Sequence, residues 1–216
     1  MVVRTLACIV VAGMHAACSS SPSLPDAIDI DASIGGLTIE LVALGGVPQM
    51  AAPTVEILSV TIGMKSLRAI GDSAPGDLST TRLDRELVWS ETRTPIPQLF
   101  PHAPPGLYSR VEIRIADWPA ASAAIGVTGR AVRAGTLVPF EIKGESIDVP
   151  IDVVVNTQLQ PREFVISTIQ VDVAALVRDI DWNTVPLTGD GKIVIGDGDP
   201  ALAGVVSRLP MMFAQR

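Results

Sequence analysis

Hydrophobic and polar residues alternate along most of the chain, and this period of two is typical of half-buried β-strands. The most regular alternation covers residues 107–115. Its odd-numbered positions include Val111, Ile113 and Ile115, whereas its even-numbered positions include Arg114. We therefore predict a central strand that turns its odd-numbered side chains toward the core.

Similar alternation predicts strands before and after this one, with glycine, proline and polar residues between them. Gly63 lies inside the longest run and predicts a bend, because an isolated glycine weakens a strand interior. Pro150 predicts an edge strand, since proline cannot donate to a sheet hydrogen bond. Residues 95–106 contain five prolines and are predicted to form an irregular connection. The predicted strands cover residues 37–44, 55–69, 83–89, 107–115, 126–133, 137–142, 147–155 and 164–173.

Helical signals occur only near the end of the chain. Residues 174–178 have room for one or two turns, and Asp199 followed by Pro200 is a typical N-cap and first helical residue. An apolar stripe at helical spacing follows, until Pro210 interrupts it. The predicted fold class is all-β, an antiparallel β-sandwich with a short C-terminal helix.

Composition supports a single β-rich domain. The chain has 216 residues, 48% of them hydrophobic and 18% charged, with 18 glycines and 17 prolines. We assign residues 35–216 to the β-sandwich domain. The formal net charge of −7 argues against nucleic acid as a partner, because phosphate binding needs clustered Lys and Arg.

The first residues have the pattern of an export signal. Arg4 precedes the apolar residues 5–14, and Ala16 and Ala17 place small side chains before Cys18. This arrangement resembles the bacterial lipobox, although His15 occupies the position of its usual apolar residue. The resemblance implies a lipoprotein signal peptide over residues 1–17 and a Cys18 lipidated with chains such as palmitate.

Alternatives to lipidation are an ordinary secretory signal cleaved nearby and an uncleaved anchor. A membrane-spanning helix is disfavoured, because the apolar run is shorter than the roughly 20 residues that a bilayer core requires. After Cys18 the sequence is rich in Ser, Pro and Asp and has no periodicity. Residues 18–34 are therefore predicted to carry the lipid and to form a flexible tether.

Few residues remain that could build a common metal or thiol site. Cys8 lies in the predicted signal and Cys18 is the predicted lipidation site, so the domain has neither a free thiol nor a disulfide. His102 is the one histidine after the signal, which does not satisfy a zinc or copper site. These counts exclude a cysteine protease, and we predict no cofactor.

Two sets of residues are candidates for ligand contact. Asp190, Asp197 and Asp199 could gather oxygen ligands for Ca²⁺, but their spacing does not match an EF-hand loop, and turn and helix-cap positions also explain them. Trp118 and Tyr108 are candidate aromatic contacts for a ligand, with packing in the core or at a sandwich corner as the alternative. We predict no catalytic residues.

The order of strands provides a family resemblance. A Gly106-Leu107-Tyr108 step opens the central strand, and the tail carries Asp181-Trp182 and a final helix ending near Phe213. Residues 35–213 thereby resemble uncharacterised β-sandwich domains of bacterial envelope lipoproteins. The resemblance implies the sandwich fold and an envelope location, and it implies no established catalytic residues.

These observations lead to a functional hypothesis. We expect a lipoprotein anchored in the bacterial cell envelope. Ser19, rather than Asp, after Cys18 resembles the residue choice of lipoproteins sent to the outer membrane, and this resemblance implies an outer-membrane location. We expect it to act as a non-enzymatic binding or structural surface module whose partner is an envelope protein or a glycan. The alternative is a carboxylate- or metal-dependent hydrolase of the envelope, which would need convergent carboxylates in a pocket.

Overall fold

The computed structural model describes residues 35–72, 78–119, 121 and 123–213. They fold mainly into β-strands, with a single α-helix among the described residues, α1 (Pro200–Met212). The predicted fold class is confirmed. No helix in this part of the chain is long and apolar enough to cross a membrane. The strands are β1 (Gly35–Ala43), β2 (Gln49–Ala52), β3 (Val55–Gly71), β4 (Thr81–Ser90), β5 (Gln98–Ala103), β6 (Gly106–Ala116), β7 (Ile125–Arg133), β8 (Thr136–Gly144), β9 (Asp148–Leu159), β10 (Phe164–Val171) and β11 (Ile193–Ile195).

The strands form two sheets. The small sheet has the order β10-β1-β5, and the large sheet has the order β11-β8-β7-β3-β6-β9, with β2 and β4 also paired to β3. Most neighbours are antiparallel, as predicted, but β1 pairs with β10 and β8 with β11 in parallel. The strands of each parallel pair are far apart in sequence, so no tight hairpin fixes their relative direction.

Strand β3 is the common element of the large sheet. Its first half, as far as Ile62, pairs with β7, and from Met64 onward it pairs with β6. Gly63 lies at this change of partner, where its N–H donates to the Ala124 carbonyl at 2.9 Å. A Cβ atom at position 63 would lie 2.8 Å from the Ala123 oxygen. The irregularity predicted at Gly63 therefore corresponds to a close backbone approach that other residues would obstruct.

One hydrophobic cluster contains side chains from both sheets and from the C-terminal helix. The large sheet contributes the odd-numbered residues of β6 that the alternation predicted, and the small sheet contributes Leu37 and Phe100. Asp199 caps α1 as predicted, and its carboxylate accepts a hydrogen bond from the Ala201 N–H at 2.8 Å. The helix buries Leu202, Val205, Leu209 and Met212.

Two local predictions were wrong. Residues 95–106 include strand β5, which tolerates Pro101 because it is the terminal strand of the small sheet. The alternation at the start of β6 is inverted by a register shift between Tyr108 and Arg110, so Tyr108 is buried and Ser109 is exposed. The final helix ends near Phe213 as expected, and Pro210 lies inside its last turn, where the missing N–H removes a single helical hydrogen bond.

We predict that Ile113→Ala lowers the free energy of unfolding by about 2–5 kcal/mol, because it leaves a cavity in the packed core. Arg114→Ala should change it little, since Arg114 is exposed and its partner is the exposed Asp148. Urea denaturation of the two variants measures both values. Equal losses of stability would mean that the two faces of β6 are assigned wrongly.

Candidate functional site

The predicted lipidation site Cys18 lies outside the described residues. The prediction that residues 1–17 are a signal and 18–34 a tether therefore stays a prediction. Strand β1 begins at Gly35, directly after the predicted tether, so the small sheet is the part of the domain that the tether would reach first.

Tyr108 is not available as a ligand contact. Its side chain is only 1% exposed, and its hydroxyl donates a hydrogen bond to the Pro104 carbonyl at 2.8 Å. The register shift next to it turns the ring into the core. The interpretation of Tyr108 as a binding residue is therefore wrong, and the ring instead holds the connection before β6 against the sheet.

Trp118 follows the end of β6 and is half-buried. Its indole Nε1 is buried and has no hydrogen-bond partner among the described residues. The other two tryptophans, Trp89 and Trp182, are buried, and Trp182 packs against Phe140 with ring centroids 4.4 Å apart. Trp118 thus stays a candidate contact, while the other tryptophans belong to the core.

The three acidic candidates for Ca²⁺ have separate structural roles. Asp197 accepts hydrogen bonds from the backbone N–H groups of Glu145 and Ser146 at 3.1 and 3.2 Å, whereas Asp199 caps α1. Asp190 accepts a hydrogen bond from the Thr188 hydroxyl, which lowers the pKa of this carboxyl. Among the described residues, no group of three His, Cys, Asp or Glu side chains is arranged to hold a metal ion.

A groove of about 430 Å³ lies beside the end of β1, and we call it the β1 groove. Trp89 forms part of its wall, fixed by a hydrogen bond from its Nε1 to the Leu41 carbonyl at 3.3 Å. Glu40, Glu91 and Arg93 supply charges at its rim. An apolar groove of this size with a few polar groups is typical of a binding site. Its apolar walls comprise Leu41, Val42, Ala43, Val47, Trp89, Pro95 and Pro97.

A second depression, the arginine groove, has a volume of about 440 Å³ and is lined by Arg82, Arg85 and Arg93. Arg82 is held in place, because its guanidinium donates to the carbonyls of Thr81 and Leu99 and lies 4.6 Å from the centre of the Phe100 ring. Burial lowers the pKa of Arg82, and the nearby charge of Arg85 lowers it further. Glu86 also lines the groove, so three arginines face one carboxylate and the groove offers a net positive charge on a chain whose net charge is negative.

Residues 93–97 lie between the two grooves, and we call them the proline ridge. All five line the arginine groove, and all except Ile96 also line the β1 groove. Pro95 and Pro97 restrict the backbone of the ridge to extended conformations on both sides of Ile96. The Ser90 N–H donates to the Arg93 carbonyl at 2.8 Å and closes the turn that leads into it. Ile96 is 80% exposed.

The proline ridge was not identified from sequence, where residues 95–106 were interpreted as a connection. The signal was an isoleucine between two prolines, a short extended segment with an apolar side chain and few backbone donors. The sequence does not show that two grooves form beside the proline ridge, because groove residues such as Glu40 and Trp89 belong to other strands, β1 and β4. Comparisons with protein-family models, with curated proteins and with solved structures found no match to the chain.

We predict that saturating Ca²⁺ does not raise the melting temperature, because Asp190, Asp197 and Asp199 bond to separate groups. A true site at roughly 100 Kd of Ca²⁺ would add about 2.7 kcal/mol. Thermal unfolding in EDTA and then in millimolar Ca²⁺ provides the measurement. A rise of several degrees that disappears in Asp197→Asn would contradict the prediction.

Proposed function

We propose that this protein is a lipid-anchored surface module of the bacterial envelope that binds another protein. The proline ridge is the observation that supports this most directly. Ile96 is exposed on a stiff extended segment that lies between two grooves. A partner could contact the Ile96 side chain and place its own side chains in both grooves. A preorganised backbone loses little conformational entropy on binding.

A protein partner fits this surface better than a glycan does. Sugar binding commonly uses exposed aromatic rings, but Trp89 in the β1 groove is buried and presents no open ring face. The surface instead combines apolar side chains with charges of both signs, Glu40 and Glu91 on one side and the arginine groove on the other. That composition suits a peptide or protein surface with apolar and acidic groups.

Hydrolysis is the weaker hypothesis. Asp197 and Asp199 line a shallow depression together with Asp148. Asp148 forms an ion pair with Arg114, and this pairing lowers the pKa of the Asp148 carboxyl. Asp197 and Asp199 accept hydrogen bonds from backbone N–H groups. The lowered pKa of the Asp148 carboxyl is the opposite of the raised pKa that a general acid requires near neutral pH.

The anchor supports the proposal through its position in the chain. A lipid on Cys18 and a tether over residues 18–34 would lead directly into β1, which lines the β1 groove. At about 3.3 Å per residue such a tether reaches roughly 55 Å, enough to hold the domain clear of the membrane surface. An outer-membrane location, for which Ser19 is the sequence signal, belongs to the same proposal.

We expect Cys18→Ala to move the protein from the membrane fraction to the soluble periplasmic fraction, because no lipid would then attach at residue 18. Fractionation followed by a high-salt wash measures this. Cys8→Ala is the matched control and should leave the protein in the membrane. If Cys18→Ala stays in the washed membrane pellet, the lipid anchor is refuted.

We expect a photoreactive amino acid at position 96 to form covalent adducts with another protein in living cells, because Ile96 stands at the top of the ridge. The same amino acid at position 137 is the control, since Leu137 is also exposed but lies in the β7–β8 hairpin. The measurement is the shift in electrophoretic mass after irradiation. Equal adducts at both positions, or none at 96, would contradict binding through the ridge.

A further inference from the structure

The outer edge of β10 is unprotected, unlike the other exposed edges among the described strands. β10 is the terminal strand of the small sheet, and no described strand pairs with its far side. Its eight residues, FVISTIQV, include no charge and no proline. An open strand edge of this length and composition is a template for pairing with another strand.

The other edges carry the features that normally block such pairing. β9 has Pro150 together with Asp148 and Asp152, and β5 contains Pro101. On β5, Arg82 also donates to the Leu99 carbonyl. β4 carries four charged residues, and β2 and β11 have only four and three residues. Among these edge strands, β10 is therefore the one that lacks a charge, a proline or a short length to block pairing.

Two hydrogen bonds show which backbone groups of β10 point toward β1 and which point to the open edge. The Glu163 carbonyl accepts from Gly36, and the Val171 carbonyl accepts from Leu44. Odd-numbered residues of β10 therefore direct their backbone groups toward β1. Because directions alternate along a strand, the even-numbered residues direct theirs to the open edge. These are Phe164, Ile166, Thr168 and Gln170.

The side chains beside this edge are apolar and exposed. Phe164 is 76% exposed, and its ring covers Gly36 so closely that a Cβ there would lie 2.1 Å from it. Ile166 is 63% exposed. Water contact with these side chains is unfavourable, so a strand laid along the edge would gain hydrogen bonds and apolar burial together.

We propose that the open edge of β10 pairs with β10 of a second copy of this chain, antiparallel and related by a two-fold axis. With the two-fold axis at Ser167, Phe164 lies opposite Gln170 of the second copy and Ile166 lies opposite Thr168 of the second copy. The even-numbered residues of both strands then exchange their backbone hydrogen bonds. The result is one continuous sheet with the order β5-β1-β10-β10-β1-β5.

Charge favours a second copy as the occupant. Each chain carries a net charge of −7, so two copies repel one another wherever they meet through charged surfaces. β10 is neutral along its whole length, and its pairing brings no like charges into opposition. The interface is also self-complementary, as a two-fold contact requires.

The length of chain before β1 permits this arrangement at a membrane. β1 runs parallel to β10, so the two Gly35 residues would lie at opposite ends of the joined sheet, about 30 Å apart. Residues 18–34 of each copy reach roughly 55 Å when extended. Both tethers could therefore attach to one membrane surface.

The test is the mass of the purified full chain in detergent, measured by sedimentation equilibrium over a micromolar concentration range. The wild type should be a dimer, and Ile166→Lys should weaken it about tenfold or more, because it places a charge in the pairing edge. Thr168→Lys is a second variant with the same expectation. A cooperative thermal unfolding transition in each variant would show that both fold, since both side chains are exposed.

Two matched controls add the same charge elsewhere. Leu99→Lys lies on the same outer face but on β5, and Val154→Lys lies on the edge of the large sheet. Both should remain dimers. A monomeric wild type, or dissociation by Leu99→Lys as strong as that by Ile166→Lys, would overturn edge pairing. Neither result affects the adducts expected at Ile96 or the membrane release expected for Cys18→Ala, so the two proposals fail separately.

Discussion

The backbone pairing of β3 is the constraint on which the rest of the structure depends. This strand pairs with β4 and β2 on one side and with β7 and then β6 on the other, so most of the large sheet is assembled around it. The change of partner at Gly63 brings backbone within the space that a Cβ would occupy. A single residue without a side chain thus allows two strands to share one edge of β3.

The two sheets present different outer surfaces. Across β3, β6 and β9 the large sheet carries a ladder of opposite charges, in which Arg68 and Arg110 both contact Glu112 and Arg114 contacts Asp148. Exposed ion pairs of this kind add little stability, but they keep a broad flat sheet soluble. The small sheet has no such ladder among its described residues, and Phe164, Ile166 and Leu99 are exposed there. The proposed contacts at Ile96 and along β10 therefore lie beside the sheet that has no ladder of paired charges.

Strand β1 links the features of the proposed function. It is the middle strand of the small sheet, it follows the predicted tether, and its last residues line the β1 groove. On one side it pairs with β5, which follows the proline ridge, and on the other with β10, whose far edge is open. The proline ridge precedes β5 at one edge of the small sheet, and β10 forms the opposite edge. Partner binding at the ridge and pairing at β10 could therefore occur without obstructing each other.

The sequence by itself determined the fold class, the core face of β6 beyond its first residues, the edge position of β9 and the cap of α1, because period-two alternation, Pro150 and Asp199 are local signals. It did not reveal the buried position of Tyr108, since a register shift against β9 reverses the local alternation. Nor did it reveal β5, whose Pro101 is tolerated because β5 is the terminal strand of its sheet. The grooves, the ridge and the open edge of β10 were decided by tertiary structure alone, because each depends on which strands become neighbours and which edge has none.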